Sequence, residues 1–594
     1  MSEYRLPDEE IRFVLEELIG LETVSALPGL TPVTAEDISG ILDQAGKFAS
    51  EILAPLNQVG DREGATLENG IVRTASGFAE AYKSYCKAGW CASAGNPVYG
   101  GQGLPRLINT ALFDVWNAAN LSFALCNTLT DSAASLLNQH GTEEQRSTYL
   151  TPLLTGEWTG AMAMTEPQAG SDIGALSCTA EPDGNTYRLK GQKVFISWGD
   201  HNLTENIVYL VLARLPDSPS GSKGISLFLV PKFIPNKLGK PTTRNDVHCV
   251  SLEGKLGIHA SPTCVMEFGA NDGAKGWLVG EPNRGLAAMF TMMNSARLAI
   301  GHEGLGISER AYQQAKSYAM ERLQGEDHDG NPSPLINFPD VRRMLLSMKA
   351  RIEAMRALCY DAGLSVDLAA HHPDEAIRIL HKDRVGLLTP IVKAWCTDGA
   401  VEVTSTNIQI HGGIGYIEDT GAAQLFRDAR ITPIYEGTNG IQALDLVRRK
   451  LGRDEGLAMN TLLEEMRQFD GALSISDDGA IAAIRGRLAE AGAALARTTH
   501  KLLSDLRNDT NRAEAAATPY LELSGTVLGG YYMARAALIA EEKISKKIGN
   551  TSFYKTKLAT ALFYAENILP KSAALAQAST FGADSVLYIA PEAF

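Results

Sequence analysis

From residue 161 to about residue 279 the chain changes period. Short runs at 187–189, 193–197, 207–213, 225–230 and 265–268 are rich in Val, Ile, Phe and Thr, and turn signals such as Asp183-Gly184-Asn185 separate them. The N-terminal flank carries apolar residues at helical spacing instead, at 11, 14, 15, 18 and 19 and again at 38, 41, 42, 45, 48, 49 and 52, and the helical pattern returns after Gly285. A chain that leaves the helical period and returns to it must fold its middle as a separate β unit, a barrel or sandwich, between helical regions. The predicted class is α+β, mostly helical.

At 594 residues, and ~150 residues per domain, the chain has room for three to five units. The changes of texture predict an N-terminal extension over 1–34, a helical domain over 35–159, the β domain over 160–282, a second helical domain over 283–452 and an additional helical domain over 453–594. Helical patterns run over 289–322, 341–370 and 390–410, with a polar, proline-containing surface excursion at 323–337. The Ala-rich stretches 480–506, 518–544 and 554–576 read as bundle elements without a catalytic constellation, and 507–515 as a solvated connection. Tyr99-Gly-Gly-Gln-Gly-Leu-Pro105 lacks the lysine of a phosphate-binding loop and reads as a turn.

A net charge of −15 argues against nucleic acid or an anionic membrane as the main partner. Eight cysteines without CxxC spacing or clustered histidines read as reduced core residues of a cytoplasmic protein, with no metal site. The acidic first ten residues lack the apolar segment of a signal peptide, and no apolar run approaches the ~20 residues of a membrane span.

Four stretches carry candidate chemistry. In Ile431-Thr-Pro-Ile-Tyr-Glu-Gly-Thr-Asn-Gly-Ile-Gln442, Glu436 stands among uncharged neighbours, and Pro433 and Gly437 place it on a loop before a helix that Asn439 can cap, with Gln442 as reciprocal partner. Poor solvation there would raise its pKa toward values useful for taking a weakly acidic proton, so Glu436 is the candidate base; a capping glutamate is the plain alternative. Ala161-Met-Ala-Met-Thr-Glu-Pro-Gln-Ala-Gly-Ser-Asp172 sets Met162 and Met164 on one side, where a flat hydrophobic ligand could lie, with Thr165 and Ser171 free to hydrogen-bond it; an edge strand and turn explain it equally. Strand alternation in Lys193-Val-Phe-Ile-Ser-Trp198 puts Phe195 and Ser197 on one face, suited to the other side of a planar ring, and Trp198 on the opposite one. Gln409-Ile-His-Gly-Gly-Ile-Gly415 ends a long helix with glycines that permit close backbone approach, and Arg322 ends another, as a cap or a phosphate contact.

Taken together, these motifs resemble the acyl-CoA dehydrogenase family of flavoproteins. The likeness runs in order from Gly141-Thr-Glu-Glu-Gln145 through Met164-Thr-Glu-Pro-Gln-Ala-Gly-Ser-Asp172, Lys255-Leu-Gly-Ile258, Arg427-Asp428 and Tyr435-Glu-Gly-Thr438 to Lys450. It implies the acyl-CoA dehydrogenase fold, an N-terminal helical domain, a middle β barrel and a C-terminal four-helix domain, with FAD as cofactor and the further C-terminal helices added. It implies flavin or pyrophosphate contacts for Met162, Met164, Thr165, Ser171, Phe195, Ser197 and Thr438. Arg322, Gln409 and Gly413 would reach the FAD of a neighbouring subunit in a homodimer, and Arg297 and Tyr435 would line the acyl-CoA pocket. The family's catalytic glutamate falls at Glu436, and Ala296 occupies the alternative base position of some members. The implied reaction is α,β-dehydrogenation of an acyl-CoA to the trans-2-enoyl-CoA, with electron-transfer flavoprotein as acceptor. The long termini resemble a bacterial subgroup acting on short chains such as 3-(methylthio)propanoyl-CoA; a medium- or long-chain dehydrogenase and an oxygen-using oxidase are the alternatives.

Overall fold

The run Asn-Ile-Val-Tyr-Leu-Val-Leu-Ala-Arg lacks polar alternation because its strand, Asn206–Arg214, is covered on both faces. In the computed structural model, which describes residues 3–326 and 329–594, Ile207, Tyr209, Val211 and Ala213 enter one core cluster with Ala161, Leu189, Phe228 and Met266. Val208, Leu210 and Leu212 enter another with Leu137, Leu150, Trp158 and Met289.

The described residues divide into two compact units: Asp43–Leu104 with Val115–Ala299, and Met1–Leu42 with Pro105–Asp114 and Ile300–Phe594. The first holds an eight-stranded sheet, in the order Val247–Leu252, Thr263–Phe268, Thr186–Ser197, Ala274–Val279, Ile225–Pro231, Asn206–Arg214, Trp158–Ala163, with Thr179–Asp183 pairing both Thr186–Ser197 and Asn206–Arg214. The expected runs at 187–189 and 193–197 are one strand. Thr179–Asp183, Val247–Leu252 and Ala274–Val279 were not among the runs singled out, because exposed or half-buried residues such as Glu181, Ser251 and Lys275 blur the apolar run that marks a strand. A complete capping box joins Thr142 and Gln145 at the start of Glu143–Thr155. The Tyr99–Pro105 stretch is a tight turn, as read: a Cβ on Gly101 would stand 2.1 Å from Gly95 backbone.

The second unit is built on long helices, among them Pro339–His371 and Glu375–His411. The latter starts well before residue 390: Pro390 lies inside it, where the ring removes one backbone donor, and no residue of the first turns is buried, Ile379 and Leu380 included. The excursion at 323–337 holds short strands Leu323–Glu326 and Pro332–Pro334, while positions 327 and 328 lie outside the described residues. Residues 507–515 are not only a connection, since Asp509 caps a short helix, Thr510–Ala515.

The central helix of the Ala-rich region, Ala517–Lys546, is buried along most of its length between Ala517 and Ala540. Gly525 is required there, because a Cβ would meet the Trp395 side chain at 2.3 Å. The N-terminal residues join the same packing: Lys557 Nζ donates to Glu10 Oε1 and Glu353 Oε2, each at 2.8 Å, and Arg535 donates to the Leu18 carbonyl at 2.7 Å. All eight cysteines are free thiols, and all except the half-buried Cys86 are buried. Among the described residues no helix is long and apolar enough to cross a membrane.

Candidate active site

In the sheet-bearing unit, Met162 is buried at the end of Trp158–Ala163, Met164 and Thr165 follow half-buried, and Ser171 is exposed in the turn beyond. The Thr165 carbonyl accepts from Val194 N–H at 2.9 Å, so this segment lies against Thr186–Ser197. Phe195 does not project by simple alternation. Cys264 pairs with Ile196 and Met266 with Lys193, so Val194 and Phe195 stand opposite Val265 alone. That bulge gives Phe195 a φ of 60° and leaves its ring 62% exposed, while Ser197 is half-buried. Trp198 is buried and donates to the Ser122 carbonyl at 3.2 Å.

A buried ion pair that sequence reasoning missed locks the turn. Lys193 Nζ donates to Glu166 Oε1 at 2.8 Å and to the Met164 carbonyl at 3.0 Å. Glu166 also accepts from Ser177 N–H and Oγ, Cys178 N–H and Gln168 Nε2. Burial would raise its pKa, but the Lys193 charge and the Ser177 donors outweigh burial and hold it down to about 2. The signal was a Lys and a Glu inside otherwise apolar strand texture. Arg297 is buried on Gly285–Glu321.

These residues fit a flavin. Phe195, more than half exposed in a bulge, Met164 on the segment that lies against the same strand, and the hydroxyls of Thr165 and Ser171 offer apolar surface with polar groups along it. A planar heteroaromatic ring with a charged tail would cover that surface.

In the helical unit Glu436 lies on the loop between Ala422–Ala429 and Asn439–Leu444, half-buried, with one carboxylate oxygen inaccessible to solvent. Its φ of 57°, followed by 85° at Gly437, turns the chain sharply at the carboxylate. The helix cap is Thr438, one residue earlier than expected: its hydroxyl accepts from Ile441 N–H at 3.3 Å. Asn439 is instead an anchor, donating to Ala394 O, Thr397 Oγ1 and Asp398 Oδ1 and accepting from Lys393 Nζ at 2.7 Å. Gln442 is no capping-box partner; its amide donates to the Glu436 and Gly437 carbonyls, each at 3.2 Å.

Tyr435 Oη donates to Glu303 Oε2. Glu303, fully buried on Gly285–Glu321, was not among the expected residues, although a carboxylate in Ile300-Gly-His-Glu-Gly-Leu-Gly306 breaks an apolar helical stretch. Burial first, and then the Glu436 charge, push its pKa up to about 8 against the opposing influence of Tyr435 and Lys393.

Arg322, Gln409 and Gly413 form a separate exposed group in this unit. His411 stacks on Tyr318 with ring centroids 4.3 Å apart, and Asn407 Nδ2 donates to Gln314 Oε1 at 2.8 Å, so two helix ends lie side by side. Arg322 follows one of these ends and donates to Gln324 Oε1 at 3.3 Å. His411 is oriented by Tyr318 and by the Asn407 carbonyl one helical turn before it.

Residues 35–157, 161–270 and 283–451 match the acyl-CoA dehydrogenase N-terminal, middle and C-terminal domains, and residues 462–590 match the acetyl-CoA dehydrogenase C-terminal-like domain. The chain is 45% identical to a 3-methylmercaptopropionyl-CoA dehydrogenase of Ruegeria pomeroyi, over 98% of this chain and 99% of the relative. It is 32% identical to a butyryl-CoA dehydrogenase of Syntrophomonas wolfei, over 98% of each. An acyl-CoA dehydrogenase structure from Bacillus anthracis, complexed with FAD, shares the fold with a TM-score of 0.74 at 21% identity, covering 96% of this chain and 91% of that one.

Proposed function

Because the chain belongs to the acyl-CoA dehydrogenase family, we propose that Glu436 is the base of an FAD-dependent α,β-dehydrogenation whose substrate is a short acyl-CoA, 3-(methylthio)propanoyl-CoA foremost. The observation that carries this reading is the placement of Glu436. Its carboxylate stands at a left-handed turn between Tyr435 and Gly437, on a loop anchored through Asn439.

A thioester α-proton is too weakly acidic for a free carboxylate, so the site must stabilise negative charge as it develops on the thioester oxygen. We assign the Glu436 main-chain N–H as a donor to that oxygen, and the carboxylate takes the proton from the α-carbon. The hydride acceptor for the β-hydrogen would be supplied by FAD when bound, giving the trans-2-enoyl-CoA as product. Met162, Met164, Thr165, Phe195, Ser197 and Thr438 would hold the ring system of FAD and Ser171 its pyrophosphate. Arg322, Gln409 and Gly413 reach toward the FAD of a second subunit in a cytoplasmic homodimer. Arg297 and Tyr435 border the acyl-CoA, and electron-transfer flavoprotein collects the electrons.

The substrate assignment rests on the Ruegeria relative. A thioether resembles a methylene in shape and polarity, and one methylene in an apolar pocket is worth only about 1–3 kcal/mol. Butanoyl-CoA should therefore react as well. The test is anaerobic bleaching of the purified yellow protein by a panel of acyl-CoAs. Bleaching by both short thioesters is expected, while bleaching by long chains alone overturns the substrate assignment. Stoichiometric peroxide during aerobic turnover would instead identify an oxidase.

A further inference from the structure

The mechanism so far leaves one group without a task, the Glu303 carboxyl. It is completely buried, its Oε2 accepts from Tyr435 Oη, and its Oε1 has no hydrogen-bond partner. A half-satisfied carboxyl in a helix interior costs stability, whether it is ionised or neutral, and nothing in packing requires it. Among the described residues its side-chain hydrogen bond goes to Tyr435, the residue that precedes the proposed base.

We infer that Glu303 is a positioning residue for the base: through Tyr435 it fixes the loop that carries Glu436, and its buried charge sets how strongly Glu436 holds a proton. The inference rests on Glu436 being the base. The groups around it define the electrostatics. Tyr435 and Glu436 face it from the loop and Lys393 from Glu375–His411, while Asp428 of Ala422–Ala429 acts on Tyr435. His302, next along the same helix, is buried, and burial pushes its pKa down to about 3, so it brings no charge at neutral pH.

The sign follows from like-charge coupling. Two neighbouring carboxyls release their protons in two steps, the more solvated one first. Glu303, fully buried and facing the Glu436 charge, has its pKa pushed up to about 8, so the upper step is its ionisation. When Glu303 becomes charged, the new negative charge raises the proton affinity of Glu436 and makes it a stronger base. The proton-abstraction rate should therefore rise through a second limb around pH 8.

The test is the pH dependence of flavin bleaching in single turnover at saturating acyl-CoA, for wild type, Glu303→Gln, Tyr435→Phe and the double variant. Glu303→Gln keeps shape and an acceptor for Tyr435 but cannot ionise, so its profile should lose the upper limb. Tyr435→Phe removes the donor that favours the ionised form, so its limb should move to higher pH. The double variant should match Glu303→Gln. A merely structural glutamate predicts lower stability or FAD retention with the limb unmoved in both single variants, and that result overturns the inference. Should Glu303→Gln not fold, the profile of Tyr435→Phe decides alone. Glu436→Gln, measured alongside, separates the two readings: bleaching by that variant sinks the base assignment, whereas an inactive Glu436→Gln with unmoved profiles in the others sinks only the role of Glu303.

Discussion

The Met164–Ser171 turn and the Glu436 loop both depart from regular structure to present polar groups, yet they are held in opposite ways. In the turn, Glu166 is saturated by Lys193, Ser177, Cys178 and Gln168 and its pKa is depressed to about 2. Behind the loop, on Gly285–Glu321, Glu303 accepts from Tyr435 Oη, its other carboxyl oxygen has no hydrogen-bond partner among the described residues, and its pKa is pushed up to about 8. A fully paired buried charge makes a fixed wall, suited to a cofactor that does not move during turnover. An under-paired carboxyl makes a support whose charge responds to its surroundings, suited to a base that must bind and release a proton.

The comparison breaks most sharply at Lys193. Lys193→Met leaves the Glu166 charge buried without its counter-ion and should cost about 3–5 kcal/mol in denaturant unfolding. A loss below about 1 kcal/mol would mean that the backbone and Ser177 donors suffice without the ion pair.

Next in size is the pH dependence of stability, which should slope in opposite directions for the two carboxyls. Glu166 is depressed from an ordinary value of 4.5 to about 2, so between these pH values the unfolded chain binds the extra proton and stability is lost as pH falls. Glu303 is raised from 4.5 to about 8, so over that window the folded chain keeps a proton the unfolded chain has lost, and stability declines as pH rises. Glu303→Gln should flatten the decline between pH 5 and 8 and leave the acid side unchanged. An unchanged decline would show that Glu303 is ionised already at pH 5.

The smallest effect is expected at the cap. Thr438→Ala removes the acceptor for Ile441 N–H and should cost about 1 kcal/mol, read as a lowered unfolding temperature. Loss of FAD affinity beyond that would support the contact assigned to the Thr438 hydroxyl.

The β unit between helical regions was legible because the period of the apolar residues reports directly on which faces are covered, as the 206–214 strand shows. The loop around Glu436 was legible because Pro433 and Gly437 punctuate it. The bulge under Phe195 was not, since it arises from pairing with a strand more than sixty residues away. The cap fell at Thr438 rather than Asn439 because Lys393 and Asp398, distant in sequence, claim the Asn439 side chain. Glu303 and the Lys193–Glu166 pair share one reason for escaping notice. A buried charge looks like a surface residue until its partner, far along the chain, is known. The Ala-rich C-terminal helices were legible as packing elements; that Gly525 admits Trp395 depends on a neighbouring helix and left no local mark.

The most direct test of the account is single-turnover flavin bleaching by Glu436→Gln with 3-(methylthio)propanoyl-CoA under anaerobic conditions. The variant keeps the size and hydrogen-bonding shape of the side chain and removes the base, so it should hold FAD and bind the thioester while bleaching slows by about 10²–10⁴-fold or more. Bleaching at a rate near that of the wild type would contradict the assignment of Glu436 as the base and, with it, the role proposed for Glu303.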